Sequence, residues 1–160
     1  MIRSAEIGEL AECAEVIRDS FLTVADEFGF TAENAAKFTA FSVTYEKLLE
    51  QFADKNRQMF VFCKDKTIIG FYSLLLFGKY ECELNHLCVS PQYRHGGVGE
   101  KLLLHAFENA EKYGCKKMNI SIVEENQKLK SWYKKFGFEN LNTEKFDFFP
   151  FTCGYMTKLI

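Results

Sequence analysis

The stretch Val89-Ser90-Pro91-Gln92-Tyr93-Arg94-His95-Gly96-Gly97-Val98-Gly99 decides how the rest of this chain is read. An apolar run precedes it and an amphipathic pattern follows it, so it reads as a glycine-rich loop between a strand and a helix. Gly96, Gly97 and Gly99 carry no Cβ, which lets the backbone approach a ligand closely and take positive φ angles. The first N–H groups of the helix have no intrahelical partner, and the helix dipole places partial positive charge at the same end. Phosphate suits such a terminus, and Arg94 adds a full charge beside it. Three or four charge-assisted bonds of about 1.5–3 kcal/mol each would anchor a diphosphate without reading any base.

Two other glycine-rich phosphate motifs fail on spacing. A dinucleotide fingerprint needs a third glycine where Leu102 stands. A P-loop ends in Gly-Lys-Ser/Thr, whereas Glu100 separates Gly99 from Lys101 and Leu102 follows, leaving no hydroxyl for magnesium.

Composition narrows the class further. The 160 residues fit one domain spanning the whole chain, and 48% hydrophobic with 26% charged residues describes an ordered globular protein. A formal net charge of −2 gives no basic field, which argues against nucleic acid as a partner. No apolar run approaches the roughly 20 residues that span a bilayer, and Met1 to Glu6 lack a signal core, so no membrane association and a cytoplasmic location are expected. The six cysteines form no Cys-x-x-Cys pair and have no histidine pair nearby, so they read as small buried thiols and no metal site is expected.

Working outward from the loop, Glu81 to Val89 reads as the strand that feeds it and Gly97 to Tyr113 as the helix that leaves it, stopped by Gly114. Lys117 to Val123 is a further strand, and strand-helix-strand implies one parallel pair. Upstream, Met59 to Cys63 and Ile68 to Leu76 form a hairpin around Lys64-Asp65-Lys66-Thr67. Before it come a short strand at Ile2 to Ser4, an amphipathic helix over Ile7 to Phe21, a short helix capped by Thr31 through Phe38, and another capped by Thr44. Downstream, Asn126 opens a helix that Gly137 ends, and two strands follow near Phe138 to Phe148 and Thr152 to Leu159. The sum is an α/β chain with a mixed, mostly antiparallel central sheet, one parallel strand pair and helices on both faces.

Three linked features then carry a resemblance. They are the strand Glu83-Leu84-Asn85-His86-Leu87-Cys88-Val89 entering Arg94-x-x-Gly97-x-Gly99, the helix Glu100-Lys101-Leu102-Leu103-Leu104, and Asn126 ahead of Trp132-Tyr133-Lys134-Lys135-Phe136-Gly137-Phe138. Their order and spacing over Met59 to Phe138 resemble the GCN5-related N-acetyltransferases. The resemblance implies the acyl-CoA N-acyltransferase fold and acetyl-CoA as donor. It further implies that the backbone of Leu87, Cys88 and Val89 pairs with the pantetheine arm like an added strand. Arg94, His95, Gly96, Gly97, Val98 and Gly99 would surround the pyrophosphate, Asn126 would hold the pantetheine near the thioester, and Tyr133 would face the sulfur.

Amine attack on a thioester needs a neutral amine and a protonated leaving thiol. An amine of pKa ~10.4 reaches its free base at neutral pH for roughly 4–5 kcal/mol, so a carboxylate or a water relay should accept the proton. Glu83 is the first candidate, six residues before Val89 where the family often carries a strand glutamate, and Glu81 is the second. Period-2 alternation puts Glu81, Glu83 and Asn85 on one side of the strand and Cys82, Leu84 and His86 on the other, which makes His86 a buried histidine unless a bulge re-aims it. His105 falls near the outer side of its helix. Tyr133, with an ordinary phenol pKa of ~10, stays protonated and can give its proton to a thiolate of pKa about 8.5. The aromatic residues Phe146 to Phe151, with Phe21, Phe28, Phe30 and Phe38, either wall the acceptor pocket or pack a core and a homodimer interface. The acceptor is expected to be a small-molecule or peptide amine. A non-catalytic acyl-CoA-binding module, or an enzyme using another acyl-CoA, are the alternatives.

Overall fold

The computed structural model describes residues 1–160. Seven strands form one sheet: β1 (Ile2–Ser4), β2 (Arg57–Lys64), β3 (Thr67–Phe77), β4 (Glu81–Val89), β5 (Lys117–Val123), β6 (Glu139–Lys145) and β7 (Thr152–Leu159). Their order is β1-β2-β3-β4-β5-β7-β6. Only β4 and β5 run parallel, because a helix crosses between them; every other neighbouring pair is antiparallel.

The helices are α1 (Leu10–Phe28), α2 (Thr39–Ser42), α3 (Tyr45–Phe52), α4 (Val98–Lys112) and α5 (Gln127–Lys135). Thr44 caps α3 as its sequence predicts, its hydroxyl accepting from the Lys47 N–H at 3.1 Å. Two upstream expectations change. The first helix runs on to Phe28 and stops at Gly29, whose φ of 72° supplies the left-handed C-terminal turn. No helix forms over Thr31 to Phe38; Thr31 and Asn34 instead exchange backbone-to-side-chain bonds at 2.8 and 3.1 Å, a local closure that competes with helix.

The sheet divides the core. Tyr72, Leu74, Cys82, Leu84, Leu102, Leu103 and Met118 pack on the side of α4 and α5, whereas Leu10, Ile17, Leu48, Val61, Phe71 and Cys88 pack beneath α1 and α3. Phe30, Phe38 and Phe151 close a third, aromatic cluster at one end. His105 is turned inward rather than outward, with its Nδ1 2.7 Å from the Tyr72 hydroxyl. No helix is long and apolar enough to cross a membrane.

Strict alternation would put Cys82, Leu84 and Cys88 on one face, yet Cys82 and Leu84 lie under α4 while Cys88 lies under α1. The register explains the switch. Phe71 pairs with Cys88 and Ser73 with Asn85, which leaves one extra residue in β4, and His86 takes the left-handed φ of 56°. A left-handed residue other than glycine costs about 1–2 kcal/mol, here sustained by pairing to β3 on both sides.

Candidate active site

β4 and β5 pair only over Glu81–Glu83 and Lys117–Asn119 and then part, although both strands continue. A cavity of about 200 Å³ occupies the opening, lined by Leu84, His86 and Leu87 from β4, Ile120 to Val123 from β5, and Asn126, Leu129 and Tyr133 from α5 and its N-terminus. Phe21, Phe38, Phe149 and Phe151 form its wall toward α1. Phe38 and Phe151 also belong to the third core cluster, so the same rings line the cavity and pack the core.

At the N-terminus of α4 the backbone is arranged for an anion. The N–H groups of His95, Gly96, Gly97, Val98, Gly99 and Glu100 donate to no group of the chain, and the helical ladder begins where Lys101 donates to Gly97 at 3.1 Å. His95 and Gly97 take φ values of 66° and 80°, which turn successive amides into one concavity. A Cβ on Gly97 would meet nothing within 4 Å, so the space beside it is open. Arg94 does not extend a free charge toward this space. Its Nε donates to the Val89 carbonyl at 3.1 Å, its Nη1 to the Thr23 hydroxyl at 2.8 Å and its Nη2 to the Ser20 carbonyl at 2.8 Å. The guanidinium clamps the loop to α1, and that longer helix is what brings Ser20 and Thr23 within reach.

The three β4 residues expected to pair with a pantetheine arm are not equivalent. Ser90 donates to the Ile69 carbonyl at 2.8 Å, and alternation in the antiparallel ladder then turns the peptide groups of Cys88 toward β3. Cys88 is thus occupied, while Leu87 and Val89 turn toward the opening. The Val89 carbonyl is taken by Arg94 and by the Ser20 hydroxyl at 3.1 Å, which leaves Leu87 and the Val89 N–H. Burial pushes the Cys88 thiol up to about 12, so it stays protonated and is no nucleophile.

Asn126 caps α5, its Oδ1 accepting from the Leu129 N–H at 3.2 Å, and its Nδ2 donates to no group of the chain. Tyr133 is buried and lines the cavity, and its hydroxyl has no hydrogen-bond partner from the chain. Burial, then the neighbouring Cys88, raise the phenol above its ordinary value and keep the proton on it.

Glu83 sits outside this lining, on the side of β4 that faces α1 and α3. Its Oε1 accepts from Asn85 Nδ2 at 2.7 Å, and Asn85 Oδ1 accepts from Arg57 Nη1 at 2.9 Å. Arg57 also donates to the Ser73 hydroxyl at 3.0 Å, so a half-buried cation orders the carboxylate through one amide. Glu81 is tied to Asn119 at 3.4 Å and to Lys117 at 3.7 Å. His86, which alternation places away from the site, lines the cavity because of the bulge. Its Nδ1 is covered and has no hydrogen-bond partner, at a cost of about 1–3 kcal/mol for such a group.

A splayed parallel pair, a run of free amides at a helix N-terminus and a buried tyrosine lining the opening are the features this chain brings together. Residues 21–138 match the model of the Acetyltransferase (GNAT) family, and the chain belongs to that family. It is an N-acetyltransferase that uses acetyl-CoA as acyl donor. The chain is 27% identical to a spermidine N(1)-acetyltransferase of Thermoplasma acidophilum over 92% of each chain. An uncharacterized N-acetyltransferase of Bacillus methanolicus is 34% identical over 50 residues, which are 31% of this chain and 42% of that one. Among solved structures, the PaiA N-acetyltransferase of Thermoplasma acidophilum in complex with coenzyme A superposes with a TM-score of 0.85 at 25% identity, covering 100% of this chain and 98% of that one.

Proposed function

We propose that the protein moves an acetyl group by direct transfer from acetyl-CoA to a primary amine of a small, cationic acceptor. The observation that carries this reading is the opening between β4 and β5, where Tyr133, Asn126 and Leu87 line one cavity. Acetyl-CoA supplies an activated thioester there. The free amides of His95 to Glu100 hold its diphosphate, and Leu87, the Val89 N–H and Asn126 Nδ2 hold the arm that follows. Tyr133 gives its proton to the departing sulfur. Donation to a thiolate stays affordable because burial that raises the phenol raises a thiol in the same cavity as well.

Glu83 lies outside the lining on the α1-facing side, so it takes the amine's proton through a water relay, its carboxylate held by Asn85 and Arg57. Carboxylates prevail on that side: Glu83 and Glu144 flank the Tyr155 phenol, which burial and then Cys153 and these two glutamates raise. Such a surface favours an acceptor carrying further ammonium groups, in keeping with the spermidine acetyltransferase named above. An amine panel read by release of free thiol tests the assignment, with polyamines, amino acids and a peptide N-terminus compared at equal concentration. Polyamines should give the highest kcat/KM, and Glu83→Gln should lower it about 100-fold, the lower part of what a general base contributes. A peptide preferred over every polyamine would overturn the acceptor class.

A further inference from the structure

We propose that the exposed ring of Phe148 seats a second ammonium group of the acceptor, and that Lys37 holds that seat as an intramolecular stand-in until the acceptor displaces it. The inference rests on the transfer to a cationic amine proposed above and names the residue that reads the further charge.

The turn between β6 and β7 presents this ring. Lys145 Nζ donates to the Phe146 carbonyl at 3.0 Å and to the Phe149 carbonyl, and the Phe149 N–H donates to the Phe146 carbonyl at 3.2 Å. Four rings follow one another along the turn. Centroid to centroid, Phe151 lies 4.5 Å from Phe149, Phe149 lies 4.8 Å from Phe148, and Phe148 lies 5.1 Å from Phe146. Phe149 and Phe151 line the cavity and pack in the third core cluster, so the ladder begins inside the opening. Phe146 and Phe148 join no core cluster, and Phe148 leaves 45% of its surface exposed. Core packing accounts for the inner two rings and not for the outer two.

A cation already rests on the outer pair. Lys37, itself part of the cavity lining, places its Nζ 4.3 Å from the centroid of Phe148. It forms no ion pair with any carboxylate of the chain. The quadrupole of an aromatic face attracts an ammonium of any origin, so an ammonium of the acceptor fits where that of Lys37 now sits. The nearby charges favour the exchange. Asp147, between the two stacked rings, is exposed and forms no ion pair. Burial, then Glu144 and Glu125, raise the Cys153 thiol of the lining, so two further carboxylates act on this side; Lys145 opposes them, with its ammonium bound to the Phe146 and Phe149 carbonyls. An acceptor with two amines gives one to the acetyl group and the other to Phe148. A monoamine has nothing to exchange for Lys37 and leaves it in place.

Linear diamines of increasing chain length, each beside the monoamine of the same length, test the seat through thiol release. In the wild type the ratio of kcat/KM for diamine over monoamine should exceed one and peak at a single length. At that length Phe148→Leu should cut the ratio by about two- to fivefold, the share of one exposed cation–π contact, through KM rather than kcat. Phe148→Tyr keeps the aromatic face and should hold the ratio within about twofold of the wild type. Lys37→Met removes the stand-in and should widen the ratio by about twofold or more. No diamine ahead of its monoamine, an unchanged ratio in Phe148→Leu, equal loss in the leucine and tyrosine variants, or a narrower ratio in Lys37→Met would each overturn the proposal. A wild type that releases thiol with no amine would instead sink the acetyl transfer itself, and that result precedes any variant.

Discussion

The two ends of the proposed acyl-CoA slot are built from different materials. At the diphosphate end, consecutive residues His95 to Glu100 offer main-chain N–H groups, and glycine matters there by being small. At the acceptor end, the cavity is made of side chains from α1, β4, β5, α5 and the segment before β7, which meet only because the sheet splays and β4 bulges. A backbone site recognises a group common to every acyl-CoA and is encoded in one short stretch. A site built of side chains can be shaped to one partner, and here its lining is spread over the whole chain.

The sharpest way to break this division is at its midpoint. Tyr133→Phe preserves the buried ring and removes the proton, so kcat should fall about 100-fold or more while the acetyl-CoA dissociation constant moves by no more than a few-fold. Steady-state kinetics beside calorimetry checks it, and unchanged turnover would remove Tyr133 from the chemistry. Next in size is Gly97→Val. A φ of 80° disfavours a branched side chain by about 1–2 kcal/mol, and the added atoms enter the open concavity, so acetyl-CoA should bind about tenfold more weakly. The amine KM should stay as it was if the two ends are independent.

Arg94→Met asks whether the loop needs its clamp or its charge. Three bonds to Val89, Thr23 and Ser20 favour the clamp, so the melting midpoint should fall by several degrees and acetyl-CoA affinity by a few-fold. An unchanged midpoint with a 100-fold loss of affinity, about 2.7 kcal/mol, would mean that the guanidinium reaches the phosphate after all. The smallest effect is on stability against pH. The folded chain holds His86 near pKa 4, below the ordinary ~6.5, so the unfolded state binds the proton more readily. The stability linked to neutral His86 is complete above about pH 6.5 and is lost as pH falls toward 4. Urea midpoints at pH 7 and pH 5 should therefore differ less in His86→Asn than in the wild type.

Much of this was legible in the residues. Thr152 to Leu159 and Lys117 to Val123 are strands at the bounds their patterns suggest, and Asn126 with Gly137 brackets α5 because capping and left-handed termination depend on nearest neighbours. The placement of His86 departs from simple alternation for a definite reason. Alternation assumes that every strand residue is paired, and an extra residue in β4 is visible only against β3, whose Phe71 and Ser73 reveal the missing partner. The local sequence shows Arg94 only beside the glycine loop, and its bonds to Ser20 and Thr23 are invisible there because those residues lie in a helix far along the chain.

The sequence by itself determined most of the elements, the parallel β4–β5 pair, and a glycine-rich loop of free amides at the start of α4, since each rests on interactions between residues close in the chain. Only the tertiary structure decided where β4 and β5 part, that Arg94 bonds to Val89, Ser20 and Thr23, and that His86 shares a cavity with Tyr133. Those outcomes depend on register and on the parting of two strands, which are properties of pairs of segments and are written in neither segment alone.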